Sequence, residues 1–212
     1  MKTLSSVIFL PFFLLAFSAN FWLSSAQNVP APVLDTAGQQ LRRGVSYYIL
    51  PADRNNGGGV GLENYRGGRC PFLITQDPVE GNNGIPLSFS LVNSTDTLIR
   101  LSTDLNIKFT SNPTSCPESN VWKLNVTSQQ RPFFVTLGGT EGNPGPNTVT
   151  SWFKIERYEN AYQIQHCPSR TFCPPGVLCN PLCGNIGILN TGGLRRLAFS
   201  QQQPFKIVFQ RA

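Results

Sequence analysis

Leu87-Ser88-Phe89-Ser90-Leu91 and Leu105-Asn106-Ile107-Lys108-Phe109 each alternate apolar with polar residues over five positions. A period of two lays one face of an extended strand on a core and leaves the other in water. Working outward, short runs rich in β-branched and aromatic residues recur at 47–50, 71–75, 122–126, 133–137, 152–155, 187–189 and 205–209. Glycine, asparagine and proline separate them, as in Asn55-Asn56-Gly57-Gly58-Gly59, Glu80-Gly81-Asn82-Asn83-Gly84 and Gly142-Asn143-Pro144-Gly145-Pro146. Such clusters are turns. Past the N-terminal segment no window sustains helical spacing, so the pattern predicts an all-β barrel or sandwich. Ile107-Lys108-Phe109, Phe153-Lys154-Ile155 and Phe205-Lys206-Ile207 repeat an apolar-Lys-apolar triplet at steps of 48 and 52 residues, a weak sign of threefold construction.

The chain opens with Lys2 and an apolar run over 7–17 interrupted by Pro11 and followed by Ser18 and Asn20. That run is short for a membrane span, and it reads as a signal peptide over 1–26, with Ser24 and Ala26 as the small residues before the cut. The mature chain, 27–212, is expected to be one domain, monomeric and secreted to the extracellular space or apoplast, with the vacuole as the other destination. No membrane anchor is expected. The 17 basic and 11 acidic residues are scattered; Arg42-Arg43 and Arg195-Arg196 read as solvated surface, and no nucleic-acid partner is implied.

Six cysteines, Cys70, Cys116, Cys167, Cys173, Cys179 and Cys183, in an exported chain imply three disulfides, of which the even count leaves fifteen connectivities open. The first two stand far apart, while the other four crowd into seventeen residues. With His166 the only histidine, a zinc site is the weaker reading and no cofactor is expected. A single histidine also gives a hydrolytic triad little material, and no Gly-x-Ser-x-Gly elbow, HExxH or paired-carboxylate pattern accompanies it. The chain is not expected to be an enzyme, and His166 reads as a surface or strand-end residue.

Val33-Leu34-Asp35-Thr36, Gly44-Val45-Ser46-Tyr47-Tyr48-Ile49-Leu50-Pro51 and Cys70-Pro71 together resemble the start of plant Kunitz inhibitors of the soybean trypsin inhibitor type. Later motifs follow in family order: Gly142-Asn143-Pro144-Gly145, Ser151-Trp152-Phe153-Lys154-Ile155, Cys167-Pro168, Asn185-Ile186-Gly187-Ile188 and Arg195-Arg196-Leu197-Ala198-Phe199-Ser200. The four-cysteine cluster is most similar to the miraculin-like branch. The resemblance implies a β-trefoil of twelve strands in three similar units, six closing a short barrel and six capping it. It also implies disulfides joining Cys70 to Cys116, Cys167 to Cys183 and Cys173 to Cys179.

In inhibitory members of that family a rigid loop enters the protease cleft as a substrate would, which the resemblance places here at residues 93–100. Thr97, Leu98, Ile99 and Arg100 are its candidate reactive residues, with the scissile bond at Leu98–Ile99 and Arg100 flanking it. Leucine before that bond suits chymotrypsin-like or elastase-like enzymes, so the implied partner is a serine endopeptidase, chymotrypsin-like rather than trypsin-like. Two readings stand beside it: a register with Arg100 in the specificity pocket and trypsin as target, and an ordinary strand edge without a protease. The loop is longer on its N-terminal side than in the prototype, and Arg43 stands where that prototype carries a supporting asparagine. Asn93-Ser94-Thr95 and Asn125-Val126-Thr127 are glycosylation sequons, the first inside the loop. A storage or defence glycoprotein of miraculin-like type is the competing function. A lectin is not favoured because Gln-x-Trp motifs are absent, nor taste modification because the chain has a single histidine and an even cysteine count.

Overall fold

The fold is seen in a computed structural model, which describes residues 29–62, 70, 72–111, 116–126, 131–173 and 182–212. Twelve strands occur among these residues. They are β1 (Tyr47–Pro51), β2 (Val60–Leu62), β3 (Ile74–Gln76), β4 (Leu87–Leu91), β5 (Leu105–Phe109), β6 (Lys123–Leu124), β7 (Val135–Thr136), β8 (Lys154–Tyr158), β9 (Ala161–His166), β10 (Gly184–Thr191), β11 (Leu194–Ser200) and β12 (Ile207–Arg211). The signal-peptide reading of 1–26 lies outside the described residues.

Six strands close a ring. β9 pairs β12, β12 pairs β1, β1 pairs β4, β4 pairs β5, and β8 pairs β9, all antiparallel. The gap between β5 and β8 is closed at Leu105 and Phe153, whose amides each donate to the other's carbonyl at 2.9 Å. The remaining six form hairpins β2–β3, β6–β7 and β10–β11. These meet in a triangle: Arg195 and Arg196 of β11 pair Gln76 and Thr75 of β3, Leu73 pairs Thr136 of β7, and Phe134 pairs Ala198 of β11. A closed barrel leaves no edge for aggregation, and a three-hairpin cap buries one of its mouths. The architecture is a β-trefoil.

The core follows from alternation. Leu87 and Phe89 on β4, and Leu105, Ile107 and Phe109 on β5, point inward with Ile49, Ile155, Ile207 and Phe209. In each apolar-Lys-apolar triplet the flanking residues are buried and the lysine reaches the surface. Their spacing is nevertheless not the fold's repeat. Phe153-Lys154-Ile155 and Phe205-Lys206-Ile207 lie at the start of equivalent strands, β8 and β12, whereas the third equivalent strand is β4, and Ile107-Lys108-Phe109 lies on β5. Asn106 breaks the pattern on β5: it is buried because its side chain donates to the Ser151 carbonyl at 2.8 Å and accepts from the Gly142 amide at 2.8 Å.

Three strands lie outside the expected apolar runs: β2, β9 and β11. β2 emerges directly from the glycine turn at 57–59, and in β9 the core residues Tyr162 and Ile164 are interleaved with glutamines at 163 and 165. β11 contains the arginine pair expected at the solvated surface. Arg195 is in fact half-buried, donating through Nε and Nη2 to Gln76 Oε1 at 2.9 and 2.7 Å and through Nη2 to Asn56 Oδ1 at 2.7 Å. It locks the 53–58 loop to the cap, and scattered spacing could not reveal that.

Disulfides join Cys70 to Cys116 and Cys167 to Cys183. Cys173 is also disulfide-bonded, and Cys179, its expected partner, lies outside the described residues. Cys70, Cys116 and Glu118 come within 4.8 Å of one another, but both thiols are consumed in the disulfide and offer no thiolate to a metal. Among the described residues no helix is long and apolar enough to cross a membrane.

Candidate functional site

The segment that follows β4 begins as an exposed turn. Asn93 Oδ1 accepts from the Thr95 amide at 3.1 Å and from the Thr95 hydroxyl at 2.9 Å, and the Asp96 amide donates to the Asn93 carbonyl at 3.2 Å. An asparagine side chain that mimics a backbone turn in this way orders the tip locally. Val92 through Thr97 are exposed, so the sequon asparagine Asn93 stands at the crest. Asn125, the other sequon, is half-buried just past β6; its partner Thr127 lies outside the described residues.

From Thr97 onward the chain changes character, because it enters a ladder with the N-terminal hairpin. That hairpin forms around Asp35, whose carboxylate accepts from the Ala37 and Gln39 amides at 2.9 and 2.8 Å, with Gly38 supplying the positive φ of 76° that the turn needs. Its second arm takes the loop by Arg43 N–H to the Thr97 carbonyl (2.9 Å) and Ile99 N–H to the Leu41 carbonyl (3.0 Å). Its first arm takes it by Val33 N–H to the Ile99 carbonyl (2.9 Å) and Leu101 N–H to the Ala31 carbonyl (2.9 Å). Leu41 N–H in turn donates to the Val33 carbonyl at 2.9 Å. Val33, Leu41 and Ile99 therefore form a closed ring of three hydrogen bonds, and all three side chains are wholly buried.

This pairing sorts the four candidate residues. Thr97 is exposed, Leu98 and Arg100 are half-buried, and Ile99 is 0 % exposed. Within the candidate loop Ile99 is therefore a core residue, because strand alternation turns it inward. Leu98 faces Arg42 across a bridge flanked by the Arg43-to-Thr97 and Ile99-to-Leu41 bonds. In such a non-hydrogen-bonded pair the amide and carbonyl of Leu98 itself point to the opposite, outer edge. Arg43 contributes only its backbone here; its side chain is exposed. Arg100 Nη1 donates to the Pro30 carbonyl at 2.9 Å, which ties that guanidinium back to the body of the protein.

Leu98 and Arg100 line a groove of about 370 Å³ together with Leu91, Val92, Asp104 and Phe172. Phe172 comes from a short 3-10 turn, Arg170–Phe172, next to Cys173 in the cysteine cluster. Its arrival beside the loop was not foreseeable from sequence, since over seventy residues intervene. His166 is a strand-end residue, as read, but buried rather than at the surface: it ends β9, packs edge-on against Phe153 at 5.5 Å and hydrogen-bonds the Trp152 backbone. Burial holds its pKa down to about 4 against that hydrogen bond, which pulls the other way, and its Nδ1 has no partner.

Comparison with known proteins agrees with this architecture. The sequence profile of the Kunitz "Trypsin and protease inhibitor" family matches residues 33–211. The chain is 39 % identical to Kunitz trypsin inhibitor 5 of Arabidopsis thaliana, over 99 % of this chain and all of that protein. It is 40 % identical to miraculin of Synsepalum dulcificum, covering 93 % and 91 % of the two chains. Among solved structures, a Kunitz-type cysteine protease inhibitor from potato superimposes with a TM-score of 0.74 at 32 % identity, over 87 % of this chain and 98 % of that one. The Kunitz inhibitors among these relatives are inhibitors, not enzymes. A closed six-stranded barrel, a three-hairpin cap and a full-length profile match have one common reading: the chain belongs to the plant Kunitz-type protease inhibitor family.

Proposed function

We propose that this protein is a secreted inhibitor of serine endopeptidases and that its reactive bond is Leu98–Ile99. The observation that carries the reading is the split at that bond. Leu98 turns its own amide and carbonyl outward, where a protease could pair with them, while Ile99 is anchored on the inner side by its buried side chain and by its N–H to Leu41. When a catalytic serine attacks the Leu98 carbonyl carbon, the Leu98–Ile99 C–N bond breaks and the Ile99 amine leaves with a proton. An ordinary substrate's amine diffuses away. Here it stays within reach of the acyl-enzyme and re-forms the peptide bond, because loss of the amine would require pulling Ile99 from the core. Holding the segment in place before docking also spares the entropy of ordering it.

Leucine in the specificity position supports a chymotrypsin-like or elastase-like target over a trypsin-like one. The named activities of relatives, trypsin inhibition in Arabidopsis and cysteine protease inhibition in potato, make trypsin and a papain-like enzyme necessary controls. The mature protein, starting at Gln27, is titrated against all of these. Inhibition abolished in Leu98→Gly and retained in Arg100→Ala is the expected result; absence of inhibition of every serine enzyme at micromolar concentration overturns the proposal.

A second reading, a non-inhibitory storage or defence glycoprotein, draws on one feature. Leu98 lines a groove beneath a crest that carries the Asn93 sequon. Inactivity that persists after enzymatic removal of glycans would select that reading, whereas inhibition appearing only after removal would identify Asn93 as a mask.

A further inference from the structure

The N-terminal hairpin holds the reactive segment by one edge of each arm, and something must hold the hairpin by the other. Consecutive amides along a strand point to opposite edges. Val33 and Arg43 send theirs to Ile99 and Thr97, and the neighbouring residues Leu34 and Arg42 send theirs the other way. Both of these are caught by tyrosine hydroxyls: Leu34 N–H donates to Tyr162 Oη at 3.0 Å, and Arg42 N–H donates to Tyr47 Oη at 3.0 Å. Tyr162 lies on β9 and Tyr47 on β1, and both rings are buried.

The two hydroxyls belong to one unit. Tyr47 contacts Phe89 at 6.2 Å between centroids, Phe89 contacts Phe209 at 5.7 Å, and Phe209 contacts Tyr162 at 5.7 Å. Four rings thus span the barrel interior beneath the hairpin, with a polar post at each end. The Arg157 guanidinium lies 4.7 Å from the Tyr162 ring centroid and closes that end. Phe89 also sits on β4, the strand that leads into the loop, so the same unit grips the segment where it leaves the barrel and, through the hairpin, where it returns.

We infer that Tyr47 and Tyr162 are positioning residues for the 97–101 segment, acting through the backbone of the hairpin. This rests on the reading of Leu98–Ile99 as the reactive bond, and it answers how that bond is supported when Arg43 lends no side chain to the task. Tyr→Phe deletes only the oxygen and keeps the ring, so an effect of Tyr47→Phe or Tyr162→Phe reports on the post and not on the core. It leaves a hairpin amide without its acceptor, and the hairpin loses its fixed distance from the barrel.

The test uses the mature full-length protein as wild type, Tyr47→Phe, Tyr162→Phe and the double variant. Amide hydrogen exchange, measured on the free proteins, is read at Val33, Arg43, Ile99 and Leu101 and compared with the cap hairpin β10–β11, which carries neither post. About tenfold faster exchange at the four loop-side amides in each single variant, with β10 and β11 unchanged, is expected from the loss of one buried acceptor. Unchanged exchange at Ile99 and Arg43, or acceleration spread equally over β10 and β11, overturns the inference. Because exchange needs no protease, its outcome stands apart from inhibition: a wild type that inhibits nothing would overturn the proposed function alone. Where the wild type inhibits, a larger fraction cleaved at Leu98–Ile99 at equilibrium in Tyr47→Phe is the matching functional readout, and intact, fully active Tyr47→Phe counts against the positioning role.

Discussion

His166 is neutral in the folded protein down to about pH 4, whereas in the unfolded chain it takes a proton near its ordinary 6.5. Between those values the unfolded state binds more protons, so stability is complete above pH 6.5 and declines as the pH falls toward 4. The separation corresponds to about 3 kcal/mol over that window. In His166→Phe, which keeps a ring against Phe153 and removes the unpartnered Nδ1, thermal denaturation followed from pH 7 to pH 4 is expected to lose most of that slope. Glu141 adds a loss at lower pH: partial burial tends to raise its pKa, but hydrogen bonds from Lys108 and Ser90 and the Lys108 charge outweigh it, so the carboxylate favours folding until it is protonated. A histidine count reveals neither effect. One histidine in a turn-rich chain reads as a surface group until its neighbours are known, and Phe153 and Trp152 are brought to it by the pairing of β8 with β9.

Strands announced themselves in proportion to how one-sided their burial is. β4 and β5 sit between core and solvent and show it by alternation, so they were readable directly. β2 is hidden by the glycines that precede it, and β11 by Arg195, whose partners, Gln76 and Asn56, are more than a hundred positions away. Of the loop, residues 93–100 were legible only through resemblance; the ladder that buries Ile99 depends on the hairpin at 32–42, in which no apolar run stands out. The cap shows what such hidden contacts contribute. Arg195→Ala removes the donor to Gln76 Oε1, and Gln76 is only 1 % exposed. Stranding that buried acceptor is expected to cost about 2 kcal/mol in chemical denaturation, and Gln76→Leu on the Arg195→Ala background should not recover it, because leucine also deprives the Asn56 and Gly58 carbonyls of the Gln76 Nε2 donor.

Across the whole molecule, the twofold use of covalent and non-covalent closure sets stability. Cys70 and Cys116 are 46 residues apart in sequence and Cys167 and Cys183 are 16 apart. By loop-closure entropy, Cys70→Ala/Cys116→Ala is expected to lose about 4 kcal/mol and Cys167→Ala/Cys183→Ala about 3 kcal/mol, read from midpoint and slope together because the freed unfolded chain is less compact. The order of the two losses is the discriminating result. The larger ring also encloses residues 93–100. Should a protease sever Leu98–Ile99, both new termini would remain on one covalent particle, since Cys70 lies on one side of the cut and Cys116 on the other. The three-membered hydrogen-bond ring of Val33, Leu41 and Ile99 would then keep the fresh end docked. On the proposed reading such a cut would be a reversible mark and not destruction: a nicked molecule would migrate whole until reduced, and would retain the shape from which the missing bond can be rebuilt.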